Sequence, residues 1–150
     1  MVVGILDMQT IVKQSKAGKS LDAIKSAKSK AMNAEVSKTE QSLRAKRQQL
    51  DQARSSMSLA DYEAKRAEMD KQFDALRKSV IAKRKELVQL HNSGIEQIFN
   101  VLDGVIRDIA AKRGLTIIIN RSFVVMSEES WDITKEALKG LDAKLPKVNL

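Results

Sequence analysis

A long charged segment with almost no proline and few aromatic residues constrains this chain more than any other feature. The chain has 150 residues, a single proline (Pro146) and 3% aromatic residues. Between about Leu21 and Leu90, apolar residues return every seven positions on a charged background. Because a seven-residue repeat places apolar side chains along one side of a helix, the segment predicts helices that pair as a coiled coil.

Two helices are expected in this segment, with a chain reversal at residues 55–58. The first is predicted over residues 21–57, and the second starts at Ser58, which can cap it, with Asp61 three residues on. The apolar spine of the first helix is Val36, Leu43, Leu50 and Met57. The seam of the second comprises Leu59, Tyr62, Arg66, Met69, Phe73, Leu76, Val80, Lys83, Leu87 and Leu90. Near His91 the spacing slips, so the helix is expected to join a different core and to end at Gly114.

Short apolar runs at the two ends predict β-strands and a small body. Residues 2–6 read as a buried strand, and residues 115–119 and 123–126 as a hairpin around a turn at Asn120. Gly18 is expected to turn the chain into the first long helix, and Asp132 to cap a short last helix. The predicted fold class is therefore α+β, with a long antiparallel helical hairpin (residues 21–94) projecting from a small β-rich body (residues 1–20 and 95–150).

This body is small for an independent core, so a homo-oligomer joined through its sheet is expected. The residues predicted to form the oligomerisation surface are Val3, Ile5, Ile117, Ile119, Val124 and Met126.

Composition argues against several classes of function. The chain has no cysteine and a single histidine, so we expect no metal site, no cofactor and no enzymatic activity. The sequence Gly18-Lys19-Ser20 resembles the end of a phosphate-binding loop, but the first glycine of that motif would fall at Lys13. No apolar run approaches the length of a membrane span, and the first residues lack a signal peptide, which is expected to have been removed if the protein is exported.

The basic charge is the more informative signal. The net charge is +8, and residues 22–90 contain 16 Lys or Arg against 10 Asp or Glu. Such a segment attracts acidic partners over a distance that salt shortens. Thr39, Lys46 and Ala53 also leave the hairpin core thin, so it should open at low cost. The predicted client-binding residues are Met57, Leu59, Tyr62, Met69, Arg77, Lys78, Lys83, Arg84 and Lys85.

A flexible, basic and partly apolar hairpin favours the holding of non-native chains. Three other interpretations remain open from the residues alone. In the first, the basic run is a solvated helix face and the apolar residues near the turn are ordinary hairpin packing. In the second, the chain is a coiled-coil adaptor that docks a folded partner. In the third, it is a basic nucleic-acid-binding protein, although it lacks an aromatic stacking platform.

The two ends of the chain resemble the OmpH-like (Skp) family of periplasmic chaperones. The similar segments are residues 3–9 and 17–19, then residues 114–120, 123–126 and 132–134, in the same order. Ser15-Lys16 stands where many members have a proline. The resemblance implies a jellyfish-like homotrimer that acts in the periplasm as an ATP-independent holdase for unfolded outer-membrane proteins, with anionic lipid or lipopolysaccharide as a further partner left open.

Overall fold

The computed structural model describes all 150 residues, and helices dominate it. The chain begins with strand β1 (Val3–Leu6) and helix α1 (Met8–Gln14). Helices α2 (Lys16–Ala53) and α3 (Leu59–Arg113) follow, and then strand β2 (Ile117–Asn120) and helix α4 (Thr134–Lys144). The α+β class with a long antiparallel helical hairpin is thus confirmed. Helix α1 was missed, because its seven residues are too few to show a clear apolar period.

The chain forms two compact units. The end unit comprises Met1–Lys25 and Gln89–Leu150, and the hairpin unit comprises Ser26–Val88. The end unit has a continuous buried core that contains Ile11, Leu21, Ile98, Leu102, Val105, Ile109, Ile133, Ala137 and Leu141. Ile98 to Ile109 belong to α3, so residues beyond the spacing slip at His91 do join a core of their own, as predicted.

The sheet of the end unit has two parallel strands. Val3 of β1 lies opposite Ile117 of β2, and Leu6 lies opposite Asn120. The other side of β1 contacts the loop before α4, where the Ile133 N–H donates to the Ile5 carbonyl at 2.9 Å. Strand β1 is therefore flanked on both sides, whereas β2 has a neighbour on one side only.

The predicted hairpin of residues 115–126 is wrong. Asn120 accepts a hydrogen bond from the Ser122 N–H, and residues 121–123 form a 3₁₀ turn in place of a tight hairpin turn. The usual two-residue hairpin turns need a positive φ, and Gly114 is the only residue of the chain that has one. Residues 123–126 consequently form no strand, and the sheet has two strands where three were expected.

The junction between α1 and α2 depends on one buried serine and one glycine. Ser15 ends α1, and its Oγ accepts from the Gly18 N–H at 3.0 Å, so it caps α2. A Cβ on Gly18 would lie 1.7 Å from the carbonyl oxygen of Val12. Gly18 therefore sits in the first turn of α2, where the backbones approach too closely for a side chain, and the turn predicted at this position is wrong.

The hairpin unit follows the predicted reversal closely. Helix α2 ends at Ala53, residues 54–56 form a 3₁₀ turn, and α3 begins at Leu59. The Ser58 Oγ accepts from the Asp61 N–H at 3.2 Å, which is the expected cap. Contacts then pair the helices in antiparallel register, from Asp51 with Tyr62 at the turn to Glu35 with Lys83 farther along.

Helix α3 ends as the sequence predicts. Gly114 has a φ of 64°, and the Leu115 N–H donates to the Ala110 carbonyl at 2.9 Å. This pattern is the Schellman motif, in which a glycine after the last helical residue takes the left-handed conformation. Lys112 and Arg113 occupy the last turn, where positive charge interacts favourably with the helix dipole.

Candidate functional site

The seam of the hairpin unit buries only part of the apolar set that the sequence suggests. Leu50, Tyr62 and Met69 form a buried cluster near the turn, with Met57 and Phe73 packed against it. Tyr62 and Met69 are 7% and 8% exposed. Their predicted contact with a client therefore requires the hairpin to open. Met57 is half-buried at the edge of the same cluster.

The turn of the hairpin is held by polar contacts around Tyr62. Its hydroxyl donates to Asp51 Oδ1 at 3.0 Å, and the Arg54 guanidinium lies 5.0 Å from the centre of its ring. A cation at this distance from an aromatic face is attracted to it. Leu59, which was predicted as a seam residue, is 66% exposed. Of the four apolar residues predicted to contact clients, Leu59 is the one that is accessible without any opening.

A wide groove lies between the two helices beyond this cluster. It has a volume of about 620 Å³ and is lined by Val36, Thr39, Ser42, Leu43, Lys46, Gln72, Ala75, Leu76 and Ser79, with Glu35, Lys38 and Lys83 at its rim. Small and polar side chains occupy positions that would be apolar in a well-packed coiled coil. The thin core predicted from Thr39 and Lys46 is therefore present here as an open groove.

The predicted basic patch is accessible except at one position. Arg77, Lys78, Arg84 and Lys85 are all exposed on α3. Lys83 is half-buried and forms an ion pair with Glu35 of α2, so its ammonium group is already partnered across the hairpin. Lys78 also has a partner, Asp74, at 3.1 Å on its own helix. Because surface pairs of this kind are weak, Lys78 can exchange its partner for another carboxylate.

Two apolar residues beside this patch were missed by the sequence analysis. Ile81 and Val88 are 68% and 59% exposed. Each follows a seam residue directly, Val80 or Leu87, and they are themselves seven residues apart. The seven-residue spacing of Ile81 and Val88 could have identified them in the sequence. It was overlooked because the longer apolar repeat of the seam lies one position earlier.

The residues predicted for oligomerisation divide into buried and exposed groups. Ile5 is 1% exposed and belongs to the core of its own chain. Val3 and Val124 are half-buried, whereas Ile117, Ile119 and Met126 are exposed. The structure adds further exposed apolar side chains in the same part of the sequence: Phe123, Val125 and Trp131. Together with the unpaired edge of β2, these side chains form what we call the open apolar surface of the end unit.

The titratable groups of the end unit form local structural contacts. Asp7 caps α1, and the backbone N–H and hydroxyl of Thr10 hold the pKa of its carboxyl below the usual value. His91 Nδ1 lies 3.0 Å from Lys25 Nζ, which can donate to it. In neither unit do three or more His, Cys, Asp or Glu side chains converge as metal ligands would. No helix is both long and apolar enough to span a bilayer.

Comparison with known families identifies the chain. Residues 2–141 match the family described as outer membrane protein (OmpH-like). The chain belongs to the OmpH-like family. No curated protein sequence matches this OmpH-like chain. Its fold is similar to that of a Caulobacter crescentus CB15 protein described as a putative outer membrane chaperone (OmpH-like), with a TM-score of 0.94 and 20% sequence identity over 99% of this chain and 88% of that one.

The segments that carried the resemblance meet in the end unit of this OmpH-like protein. The residue pairs Val3–Ile117 and Leu6–Asn120 mark the two ends of the parallel ladder. The Asp132 carboxylate accepts from the Thr134 N–H at 2.8 Å, at the start of α4. The Asp-Ile-Thr element of the OmpH-like sequence thus forms a short turn that leads into α4. The N-cap residue is Ile133, one residue after the Asp132 that was predicted, and Ile133 is buried in the core.

Proposed function

We propose that this OmpH-like protein is an ATP-independent holdase. It binds unfolded outer-membrane proteins in the periplasm and keeps them from aggregating. The chain belongs to a family whose description is outer membrane protein (OmpH-like), and its fold is similar to that of a protein described as a putative outer membrane chaperone. Both findings support this proposal.

The observation that carries the proposal is that the long helices are strongly basic and also have a poorly filled seam. Residues 22–90 hold six of the eight net positive charges. Acidic unfolded chains are attracted to such a surface from a distance, which raises the rate of encounter. The groove of about 620 Å³, lined in part by Thr39 and Lys46, supports a core that is thinner than that of a full coiled coil. The hairpin unit can therefore adapt to clients of different sequence at low cost.

The two parts of the chain that the sequence predicts have different tasks. Residues 21–94 contact clients, and residues 1–20 and 95–150 assemble copies of the chain into a homotrimer. Assembly is supported by the open apolar surface, in which Phe123, Val125 and Met126 are nearly fully exposed. Monomeric proteins rarely leave a contiguous apolar patch of large size uncovered. The free edge of β2 also offers unpaired backbone groups to a neighbouring strand.

The experiment is an aggregation assay with a urea-unfolded outer-membrane β-barrel protein that is acidic at pH 7. The β-barrel protein is diluted into buffer with and without the full chain, in the absence of ATP, and light scattering is followed over time. We expect the chain to suppress scattering at low salt and to lose much of this effect at high salt, because salt screens charge attraction beyond a Debye length of about 8 Å at 0.15 M.

The competing interpretations give different results in the same assay. A coiled-coil adaptor would leave aggregation unchanged at every salt concentration. A nucleic-acid-binding protein would bind duplex DNA with a steep dependence on salt and would also leave aggregation unchanged. Suppression that does not respond to salt would retain the holdase but would remove electrostatic capture from its mechanism.

A further inference from the structure

Helix α3 carries a second line of residues besides its seam. We call Arg77, Lys78, Ile81, Arg84, Lys85 and Val88 the outer stripe. Ile81 and Val88 are separated by two helical turns, or about 10.5 Å along the axis, and so lie on the same side of α3. Lys83 belongs to the side that faces α2, where it pairs with Glu35, whereas all six residues of the stripe are exposed. The outer stripe is therefore turned to solvent within the hairpin unit.

Cations surround the apolar residues of the outer stripe. Arg77 and Lys78 precede Ile81 by four and three residues, and Arg84 and Lys85 follow it by three and four. These are the spacings at which side chains are neighbours on a helix. Lys78 is the one member with a carboxylate partner, Asp74, so Arg77, Arg84 and Lys85 have no ion pair.

An ordinary solvated face would not have this composition. Ile81 and Val88 lie at exposed positions where a polar residue would not lower the stability of the fold. The large apolar side chain of each is instead in contact with water. The stripe itself holds four cations, and the carboxylate just before it, Asp74, is paired with Lys78. A second copy of the same stripe laid directly against it would therefore place like charges face to face, which is unfavourable. The partner must offer negative charge and apolar side chains together.

We propose that the outer stripe binds extended acidic segments of unfolded chains. The carboxylates of such a segment contact Arg77, Arg84 and Lys85, and its apolar side chains pack on Ile81 and Val88. The exposed side of a single helix is convex, so it suits a flexible chain better than a folded ligand. The inference rests on the proposed holdase function, and it gives that function an apolar contact that does not require the hairpin to open, unlike contact with Tyr62 or Met69.

The first test uses the full chain with Ile81→Gln and Val88→Gln together. The probe is a fluorescent, unstructured peptide of Glu, Leu, Ser and Gly, and its binding is followed by anisotropy. We expect binding about five- to tenfold weaker, which corresponds to about 1–1.4 kcal/mol. A second peptide with Ser in place of Leu should bind wild type and variant alike, because it has nothing to pack on Ile81 or Val88. Glutamine is a good helix former, so α3 should persist, and circular dichroism checks this.

The second test compares two variants with the same loss of charge. Arg84→Gln with Lys85→Gln removes two cations from the outer stripe. Lys28→Gln with Lys30→Gln removes two exposed cations from α2, away from the stripe. We expect the first pair to weaken binding of the acidic peptide by roughly tenfold, and the second by no more than about twofold, since only long-range attraction changes there.

The outcomes separate this inference from the proposed function. Suppose that both stripe variants bind the peptide as the wild type does, while the wild type prevents aggregation of the β-barrel protein: the outer stripe is then a solvated face and the inference fails alone. Failure of the wild type to prevent aggregation would instead overturn the proposed function. Loss of binding to phosphatidylglycerol vesicles by the Ile81/Val88 variant, with peptide binding intact, would make the stripe a lipid surface and would also overturn the inference.

Discussion

A single carboxylate at the start of α1 shows how local chemistry controls a helix boundary. Asp7 Oδ1 accepts from the Thr10 N–H at 3.0 Å, and Oδ2 accepts from the Thr10 hydroxyl at 2.8 Å. Asp7→Ala removes both acceptors and should cost about 1 kcal/mol of stability at pH 7, as is usual for a lost helix cap. Urea denaturation followed by circular dichroism measures the difference.

The same residue predicts how this difference varies with pH. The pKa of Asp7 is lower in the folded chain than in the unfolded one, chiefly because the charged form accepts from the Thr10 backbone N–H. Its charge-dependent contribution is therefore present above the unfolded pKa of about 3.9 and is lost as the pH falls through the folded pKa. The stability gap between Asp7→Ala and wild type should narrow below pH 4. Asp7→Asn, which keeps an acceptor but does not titrate, is the control; an unchanged gap at low pH would contradict the prediction.

Two glycines in long helices should respond oppositely to the same substitution. A Cβ on Gly18 would lie 1.7 Å from the Val12 carbonyl oxygen, whereas a Cβ on Gly104 would meet nothing within 4 Å. We expect Gly18→Ala to destabilise by about 2–3 kcal/mol, because backbone must move to make room. Gly104→Ala should stabilise by about 0.5–1 kcal/mol through lower chain entropy in the unfolded state. Thermal denaturation of the two variants measures the change in melting temperature. Equal changes in the two variants would contradict the prediction.

At the scale of the element, the hairpin is a coiled coil with a gap in its core. Thr39 lines the groove at an alternate core position of α2, where a full seam would place a larger apolar residue. Thr39→Leu should bury additional apolar surface and stabilise the hairpin unit by about 1 kcal/mol. Amide hydrogen exchange within residues 26–88 should then slow by roughly fivefold, because local opening becomes rarer. Ala64→Leu, at an exposed position of α3, is the matched control and should leave exchange unchanged.

At the scale of the whole molecule, the open apolar surface makes a prediction about assembly. We expect the native particle to have about three times the chain mass of 16.7 kDa. Val125→Lys places a charge on this surface and should shift the mass towards that of one chain, since burying an unpaired charge is unfavourable. Leu59→Lys, which charges an exposed apolar residue of the hairpin unit, should leave the mass unchanged. Light scattering measures both, and a wild-type monomer would contradict the prediction.

The two long helices could be read from the sequence because their signals are local. The seven-residue spacing of Leu43, Leu50 and the α3 seam follows from helix geometry alone. Ser58 and Gly114 mark helix ends through hydrogen bonds that reach only a few residues along the chain. The basic patch was found for a similar reason, since five cations between Arg77 and Lys85 are close together in the sequence itself.

The pairing of strands depended on contacts that no local pattern encodes. Two β-branched runs close in sequence favoured a hairpin, yet Ile117 pairs with Val3, at the other end of the chain. The sequence also did not reveal which residues of the seven-residue repeat remain exposed. Leu59 and Tyr62 read as members of one seam, but the antiparallel register buries Tyr62 and leaves Leu59 in water.

The sequence by itself thus determined the two long helices, the caps at Ser58 and Gly114, the chain reversal and the distribution of charge, because each depends on a period or on neighbours within a few residues. Tertiary structure alone decided the parallel sheet, the close backbone approach at Gly18, and which apolar residues remain exposed, Ile81 and Val88 among them. These features arise when residues far apart in the chain compete for the same buried space, and that competition is settled only when the whole chain packs.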